Sequence, residues 1–358
     1  MIALYISSTA PYSGKSALCV GLGRQFRKEG YRIGYMRPLT TTKTCIADCV
    51  IDKEAELMIQ TLDLKDPISA MWPVCLDAPT VEALMRGEGL DYRQVIKEAF
   101  ARVSENKDIV LFEGGSRCVQ GLAAGISCQE ISAILRAKVL VVDKYDVSTT
   151  LVVDDLLAYK MRLGGKMLGA VLNGVPRHRM DFVEKLVVPF LEKHGVPVYA
   201  VLPLDRVFSS VSIGELAEVL RGEIICRADL ADNLVENLMV GAMSVDSALQ
   251  YFRRKLNLGV ITGGDRPDIQ LAALETSTKA LILTGNIQPS PLILSRAEEA
   301  GVAVIMVKHD TMTTVQRAEE VFAKTRFHQP KKIERFEHML AERFDFGRFY
   351  RDLNLQQA

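Results

Sequence analysis

Neither sign of charge is in excess in this sequence: Lys and Arg together number 44, Asp and Glu together number 44, and the net charge is zero. Proteins that grip nucleic acid through its phosphates are more often basic, so this balance counts against that class. Long apolar runs are also missing. Residues 1–6 are apolar but stop at Ser7-Ser8-Thr9, which suits a buried strand rather than an export signal. No other run reaches the roughly 20 residues that a membrane span needs. The five histidines (His178, His194, His309, His328 and His338) are scattered and form no H-x-x-x-H pair. Cysteine is present but not in a zinc-binding pattern, which calls for about four soft ligands in paired short spacings. Of the seven cysteines, Cys45 and Cys49 make one C-x3-C pair, and Cys118 and Cys128 flank a Gly-rich segment. An odd number without an export signal predicts free, mostly buried thiols in a reducing cytoplasm.

What is present is a soluble globular composition, 48% hydrophobic and 25% charged, over 358 residues, enough for two domains. Residues 2–6 read as a strand buried on both faces. From Lys15 to Gly30 the spacing of Leu18, Leu22 and Phe26 predicts a helix, and Arg32 to Met36 a second strand. Alternation continues: helices over 52–62, 80–86, 91–105, 149–163 and 179–194, and strands over 108–112, 138–142, 167–172 and 196–202. This rhythm predicts an α/β fold, a mostly parallel sheet flanked by helices. After Arg221-Gly222-Glu223 it restarts with strands at 258–262, 280–284 and 302–307, a second and smaller α/β domain. The last stretch, charged with interspersed aromatics, reads as a helical tail that packs on something. The expected boundaries are 1–222, 223–330 and 331–358.

Between the first strand and the first helix stands Ser7-Ser8-Thr9-Ala10-Pro11-Tyr12-Ser13-Gly14-Lys15-Ser16. It nearly matches G-x-x-x-x-G-K-[ST], the loop that cradles phosphates, but Thr9 occupies the first glycine's place. Binding a triphosphate takes inward N–H groups at a helix N-terminus, a lysine for the β- and γ-phosphates, and a hydroxyl for Mg²⁺. Gly14, Lys15 and Ser16 supply these. Glu113 follows a buried strand and precedes two glycines, where a carboxylate holds Mg²⁺ or its water. Asp52 and Glu54 are candidates for a second Mg²⁺ contact, or simply acidic residues at a helix start. Asn173 offers a donor and an acceptor to an adenine edge, or is an ordinary Asn-Gly turn.

The first ~220 residues resemble the dethiobiotin synthetase-type P-loop family. The matching pieces are S-T-x-x-x-S-G-K-S at 8–16, R-P at 37–38, A-P-T at 78–80, D-I-V-L-F-E-G-G at 108–115, V-L-N-G-V-P at 171–176 and V-L-P-L-D at 201–205. In that family the loop is one residue longer and begins Gly-Thr, so Thr9 is in place and Ser8 replaces the glycine. The resemblance implies an ATP site with Thr9, Ser13, Gly14, Lys15 and Ser16 around the phosphates. It also implies Mg²⁺ at Ser16 and Glu113, and Asn173 with Pro203 around the base. The family's Lys-Pro after the second strand is Arg37-Pro38 here, and Arg keeps the charge without the compact ammonium. If the chain is an enzyme, Lys15 and Arg37 are the catalytic candidates. The partition and cell-division ATPases carry a second lysine early in this loop. This loop has none, which argues against that branch.

In the second domain "LGVITGGDRPDIQ" at 258–270 resembles the DRTGG domain, and the match continues through "ALILTGN", "AEEAGVAVIMVKHDTMTTV" and "KTRFHQPKK". A dethiobiotin synthetase-like domain followed by this module is similar to the amino-terminal, regulatory part of long phosphate acetyltransferases, with the catalytic domain expected to be absent. Three strand ends here carry polar residues and share one sheet edge. Gly264, Asp265, Arg266, Asn286, Asp310 and Thr311 are therefore candidates to line an effector pocket. The alternatives are a helix cap at Asp310-Thr311 and a structural ion pair at Asp265-Arg266. A glutamine amidotransferase domain in second place fits poorly, since only Cys226 is available as its nucleophile. The reading is a cytoplasmic ATP- and Mg²⁺-binding regulatory or sensing protein, homo-oligomeric, with a small-molecule effector at the second domain. An ATP-dependent ligase acting on a carboxylate or carbamate is the alternative. No nucleic-acid or membrane partner is expected.

Overall fold

A computed structural model of the chain describes residues 1–41, 53–146, 149–323, 327 and 329–355. Two compact units emerge, Met1–Leu204 with Phe327–Ala358, and Asp205–Arg326. The first unit is built on a six-stranded sheet. Its strands run in the spatial order Ile33–Met36, Ile109–Glu113, Ile2–Ser8, Lys138–Lys144, Met167–Val175, Val198–Pro203, and every pairing is parallel. Parallel strands covered on both faces must be apolar throughout, and the first strand is buried along nearly its whole length. In register, Ile6 faces Glu113 across one neighbour and Ser8 faces Val142 across the other. The carboxyl ends of three adjacent strands therefore meet at one point, and the Ser8–Ser16 loop leaves from the middle one.

The helix Lys15–Lys28 packs back with Leu18, Leu22 and Phe26 fully buried. Its Gly21 has a specific purpose. A Cβ there would lie 2.3 Å from Leu340 and 3.2 Å from Phe336, so the absent side chain lets the tail helix Pro330–Arg343 approach. The final helix, Phe346–Leu353, buries Phe349, which meets Tyr199 edge-on at 5.1 Å and stacks with Phe26 at 6.5 Å. The tail thus completes the first unit's core. Phe344 also bridges Ala200, blunting the sheet's outer strand.

The second unit holds a five-stranded sheet in the order Glu223–Cys226, Ala303–Met306, Thr278–Thr284, Leu258–Gly263, Asn237–Val240; only the first pairing is antiparallel. Alternate residues feed two cores: Ile261, Ile282 and Ile305 on one face, Val260, Leu281 and Val304 on the other. The helix Ile213–Leu220 belongs to this unit, because Ile213, Leu216 and Leu220 sit in the first of these cores. Hence the junction falls at Asp205, earlier than the expected 222, and residues from Phe327 onward return to the first unit.

Two elements depart from the sequence pattern for local reasons. The expected helix over 179–194 is wound as a π-helix over Val183–Val187, just before Pro189, which has no N–H to give to the turn behind it. The strand expected to end at Leu172 runs on to Val175, with a register shift between Leu172 and Val175. Asn173-Gly174 is therefore a bulge within a strand rather than a turn.

Candidate nucleotide site

Gly14 adopts φ +98°, a backbone state open to glycine, and forms the N-cap of the helix Lys15–Lys28. The loop's other left-handed residue is Tyr12, at φ +56° and exposed. Ser8, the residue in the family glycine's place, is the last residue of the strand and is not left-handed. Its hydroxyl receives the Lys15 ammonium at 2.8 Å and lies 2.9 Å from the Ala10 carbonyl and 3.2 Å from the Ser116 carbonyl. Ser13 closes the turn by donating to the Ala10 carbonyl at 2.6 Å.

The expected Mg²⁺ residues come together. The Ser16 hydroxyl donates to Glu113 Oε1 at 2.7 Å, and the Tyr35 hydroxyl donates to Oε2 at 2.7 Å. Glu113 is 2% exposed, so its carboxylate is desolvated yet bonded on both oxygens. Burial pushes the Tyr35 phenol up, and the neighbouring Glu113 charge adds to this, so it stays a donor. A hydroxyl and a carboxylate are hard oxygen donors, which suits Mg²⁺ shared with phosphate and water. Among the described residues no cluster of three or more His, Cys, Asp or Glu could hold a metal by itself. Asp52 and the side chain of Glu54 lie outside the described residues, as do Cys45 and Cys49.

Asn173 meets the phosphate loop itself. Its Nδ2 donates to the Ser13 carbonyl at 2.8 Å, and a Cβ on Gly14 would lie 2.5 Å from that nitrogen. The amide nitrogen braces the phosphate loop. Pro203, at the end of its strand, pairs with Val175 just beyond the bulge. Arg37 follows the second strand, and its amide donates to the Met71 carbonyl at 2.7 Å.

One residue escaped the sequence reading. Asp143 is 3% exposed near the carboxyl end of Lys138–Lys144, where its Oδ1 accepts from the Thr9 hydroxyl. Among the described residues Oδ2 has no hydrogen-bond partner. Burial pushes this carboxyl up to about 7, against the Thr9 bond, with Asp155 and Asp146 adding to the rise. The signal was available: an Asp at the end of an apolar strand is what singled out Glu113. Asp143 follows the strand over 138–142 as Glu113 follows that over 108–112, but Lys144 and Tyr145 stand where Glu113 has two glycines.

In the second unit the three strand ends do share an edge. The Gly264 amide donates to Thr284, the Gly285 amide to His309 and the Asn286 amide to Val307. Thr311 and Thr284 hydroxyls meet at 2.8 Å. Asp310 caps the helix Thr311–Ala323, accepting from the Thr313 amide at 2.9 Å and its hydroxyl at 2.6 Å, which holds its carboxyl below the usual range. Arg266 forks onto Asp268 at 2.9 and 3.0 Å, not onto Asp265, which is exposed. Gln270, fully buried, gives its amide to the Gly263 and Gly264 carbonyls and leaves Oε1 without a partner among the described residues.

Comparison with known proteins matches an AAA domain over residues 3–211 and a DRTGG domain over residues 215–321. A phosphate acetyltransferase of Synechocystis sp. is 25% identical over 317 residues, 82% of this chain and 43% of the relative. One from Nitratidesulfovibrio vulgaris is 23% identical over 351 residues, 92% of this chain and 48% of the relative. The chain thus spans about half the length of the curated relatives it matches. An ATP-dependent dethiobiotin synthetase of Caldicellulosiruptor saccharolyticus is 28% identical over 116 residues, 32% of this chain and 48% of the relative.

Proposed function

This chain belongs to the AAA-domain family, with a DRTGG domain behind the P-loop domain, and on that premise we propose that it is an ATP- and Mg²⁺-binding regulatory protein. The observation that carries the reading is the 2.7 Å approach of Ser16 to Glu113 at the mouth of a glycine-capped loop whose lysine reaches back across it. The loop amides and Lys15 would hold the phosphates, and Ser16 and Glu113 would hold Mg²⁺, whose role there is to neutralise phosphate charge. Tyr35 fixes the Glu113 carboxylate beside Ser16. The DRTGG unit would carry a second ligand at the edge formed by Gly264, Asn286 and Thr311.

Calorimetry with ATP·Mg²⁺ tests the first half. Binding is expected for the wild type, with a stability gain of about 2.7 kcal/mol at a hundredfold excess over Kd, and none for Lys15→Ala. Absence of both heat and thermal shift in the wild type refutes the reading. The dethiobiotin synthetase likeness supports a second reading, an ATP-dependent ligase in which Lys15 and Arg37 neutralise a transferred phosphoryl group. ADP release stimulated by one member of a carboxylic-acid and amine panel would favour it. A flat panel favours the regulatory role.

A further inference from the structure

Cys118 and Cys128 flank a Gly-rich segment in the sequence, and the fold brings them together. The Cys128 amide donates to the Cys118 carbonyl at 3.2 Å, and each thiol shifts the acidity of the other. A direct backbone contact of this kind is the adjacency that a disulfide needs, since it closes between Cα atoms about 4.4–6.8 Å apart. Both are free thiols.

The two sulfurs are chemically unlike. The neighbouring Cys128 thiol and the Arg162 guanidinium hold the Cys118 thiol below its ordinary range, against the effect of burial. Cys128 is pushed up by the neighbouring Cys118 and by burial. One sulfur is thus disposed to be the nucleophile and the other the protonated resolving thiol, the division that redox-active pairs use. Cys118 is 6% exposed, while Arg162 and Val119, the next residue in the chain, are exposed.

The pair also sits against the phosphate loop. Tyr159, one of the groups that perturb Cys118, donates its hydroxyl to the Ser8 carbonyl and lies 3.4 Å from the Ser7 hydroxyl. Ser7 in turn is one of the groups that perturb Cys128. Ser116, two residues before Cys118, offers its carbonyl to the Ser8 hydroxyl that holds Lys15.

We propose that Cys118 and Cys128 form a peroxide-sensitive dithiol, a modification site that closes as an intramolecular disulfide under the entry to the phosphate loop. Cys118 thiolate attacks hydrogen peroxide; an S–O bond forms, the O–O bond breaks, and hydroxide leaves and takes a proton. The Cys128 sulfur then attacks the sulfenic sulfur; the S–S bond forms, the S–O bond breaks, and water leaves with the Cys128 proton. Two thiols and one peroxide give one disulfide and two waters. Closure removes the Cys118 thiolate, the negative neighbour of the Arg162 guanidinium.

The test uses the full chain without nucleotide, so it stands or falls separately from the ATP reading. The protein is exposed to hydrogen peroxide, its remaining thiols are alkylated, and it is digested with trypsin. The peptide 118–136 carries both cysteines and no other. It is expected to appear unalkylated and lighter by two hydrogens, at a rate roughly tenfold above oxidation of Cys19 and Cys226, whose thiols burial pushes up. In Cys128→Ser, dimedone should trap a sulfenic acid on Cys118. Oxidation of 118–136 no faster than of Cys19 and Cys226, or linkage of Cys118 to any other cysteine, overturns the proposal. The wild-type map decides this even if the variant fails to fold.

Discussion

Asp143 makes the first unit's stability fall as pH rises. Its carboxyl titrates near 7 in the folded chain, against an ordinary 3.8. Between those values the folded state holds a proton that the unfolded state has released. Protons bound in excess by the native state make unfolding easier as pH rises. The stabilisation is complete below about pH 4, is lost progressively up to about pH 7 and is gone above it. Each pH unit is worth about 1.36 kcal/mol, so from pH 5 to pH 8 this group alone removes about 3 kcal/mol. Asp143→Asn keeps an acceptor for the Thr9 hydroxyl and abolishes the titration. Its buried NH₂ lacks a partner, at a cost of about 1–3 kcal/mol that is the same at both pH values and cancels in the comparison. The assay is provided by Trp72, the one tryptophan, 3% exposed in the first unit and 5.6 Å from the Tyr35 ring. Its fluorescence reports urea unfolding of that unit alone. With an m-value of about 3 kcal/mol/M for a unit this large, wild type relative to Asp143→Asn should lose about 1 M in urea midpoint between pH 5 and pH 8. A wild-type minus variant difference that stays constant over this range refutes the assignment of a buried neutral acid.

Two further outcomes follow from the packing. Gly14→Ala must place a Cβ 2.5 Å from Asn173 Nδ2 at a φ that disfavours side chains, so it should lower first-unit stability and abolish nucleotide binding; Asn173→Ala should cost less on the Gly14→Ala background than in the wild type, a coupling of about 0.5–3 kcal/mol in a double-mutant cycle. Phe349→Ala, at a site buried among Phe26, Tyr199 and Phe344, should lower the Trp72-detected stability by about 3–5 kcal/mol, which would establish the tail as part of the first unit's core.

Most of the architecture was legible because parallel sheets write themselves plainly. Strands buried on both faces are continuous apolar runs, and the helices between them keep a four-residue spacing. What was not legible depends on long-range contact. Glu223–Cys226 is a four-residue edge strand only partly buried, and its Ile224-Ile225-Cys226 run is too short to stand out. The helix Ile213–Leu220 has a strong apolar face, but nothing local says which core that face will join. The tail's aromatics announced that they pack, while their partners, Phe26 and Tyr199, are separated from them by more than a hundred residues.

The loop shows the same division at the scale of single atoms. Gly14, Lys15 and Ser16 are read from a motif because the backbone and the chemistry of phosphate binding demand those residue types. Ser8 looked like a missing glycine, and a glycine there would mean that the backbone needs φ above zero. The left-handed turn is instead taken by Tyr12, a few residues on, and Ser8 ends its strand in ordinary geometry. Freed from a backbone duty, the position supports a side chain that contacts Lys15, the Ala10 carbonyl and the Ser116 carbonyl. The hydroxyl therefore links the loop's lysine to the segment that begins at Glu113 and leads to Cys118. A glycine at position 8 would lack that hydroxyl and lose the link between Lys15 and the Ser116 carbonyl.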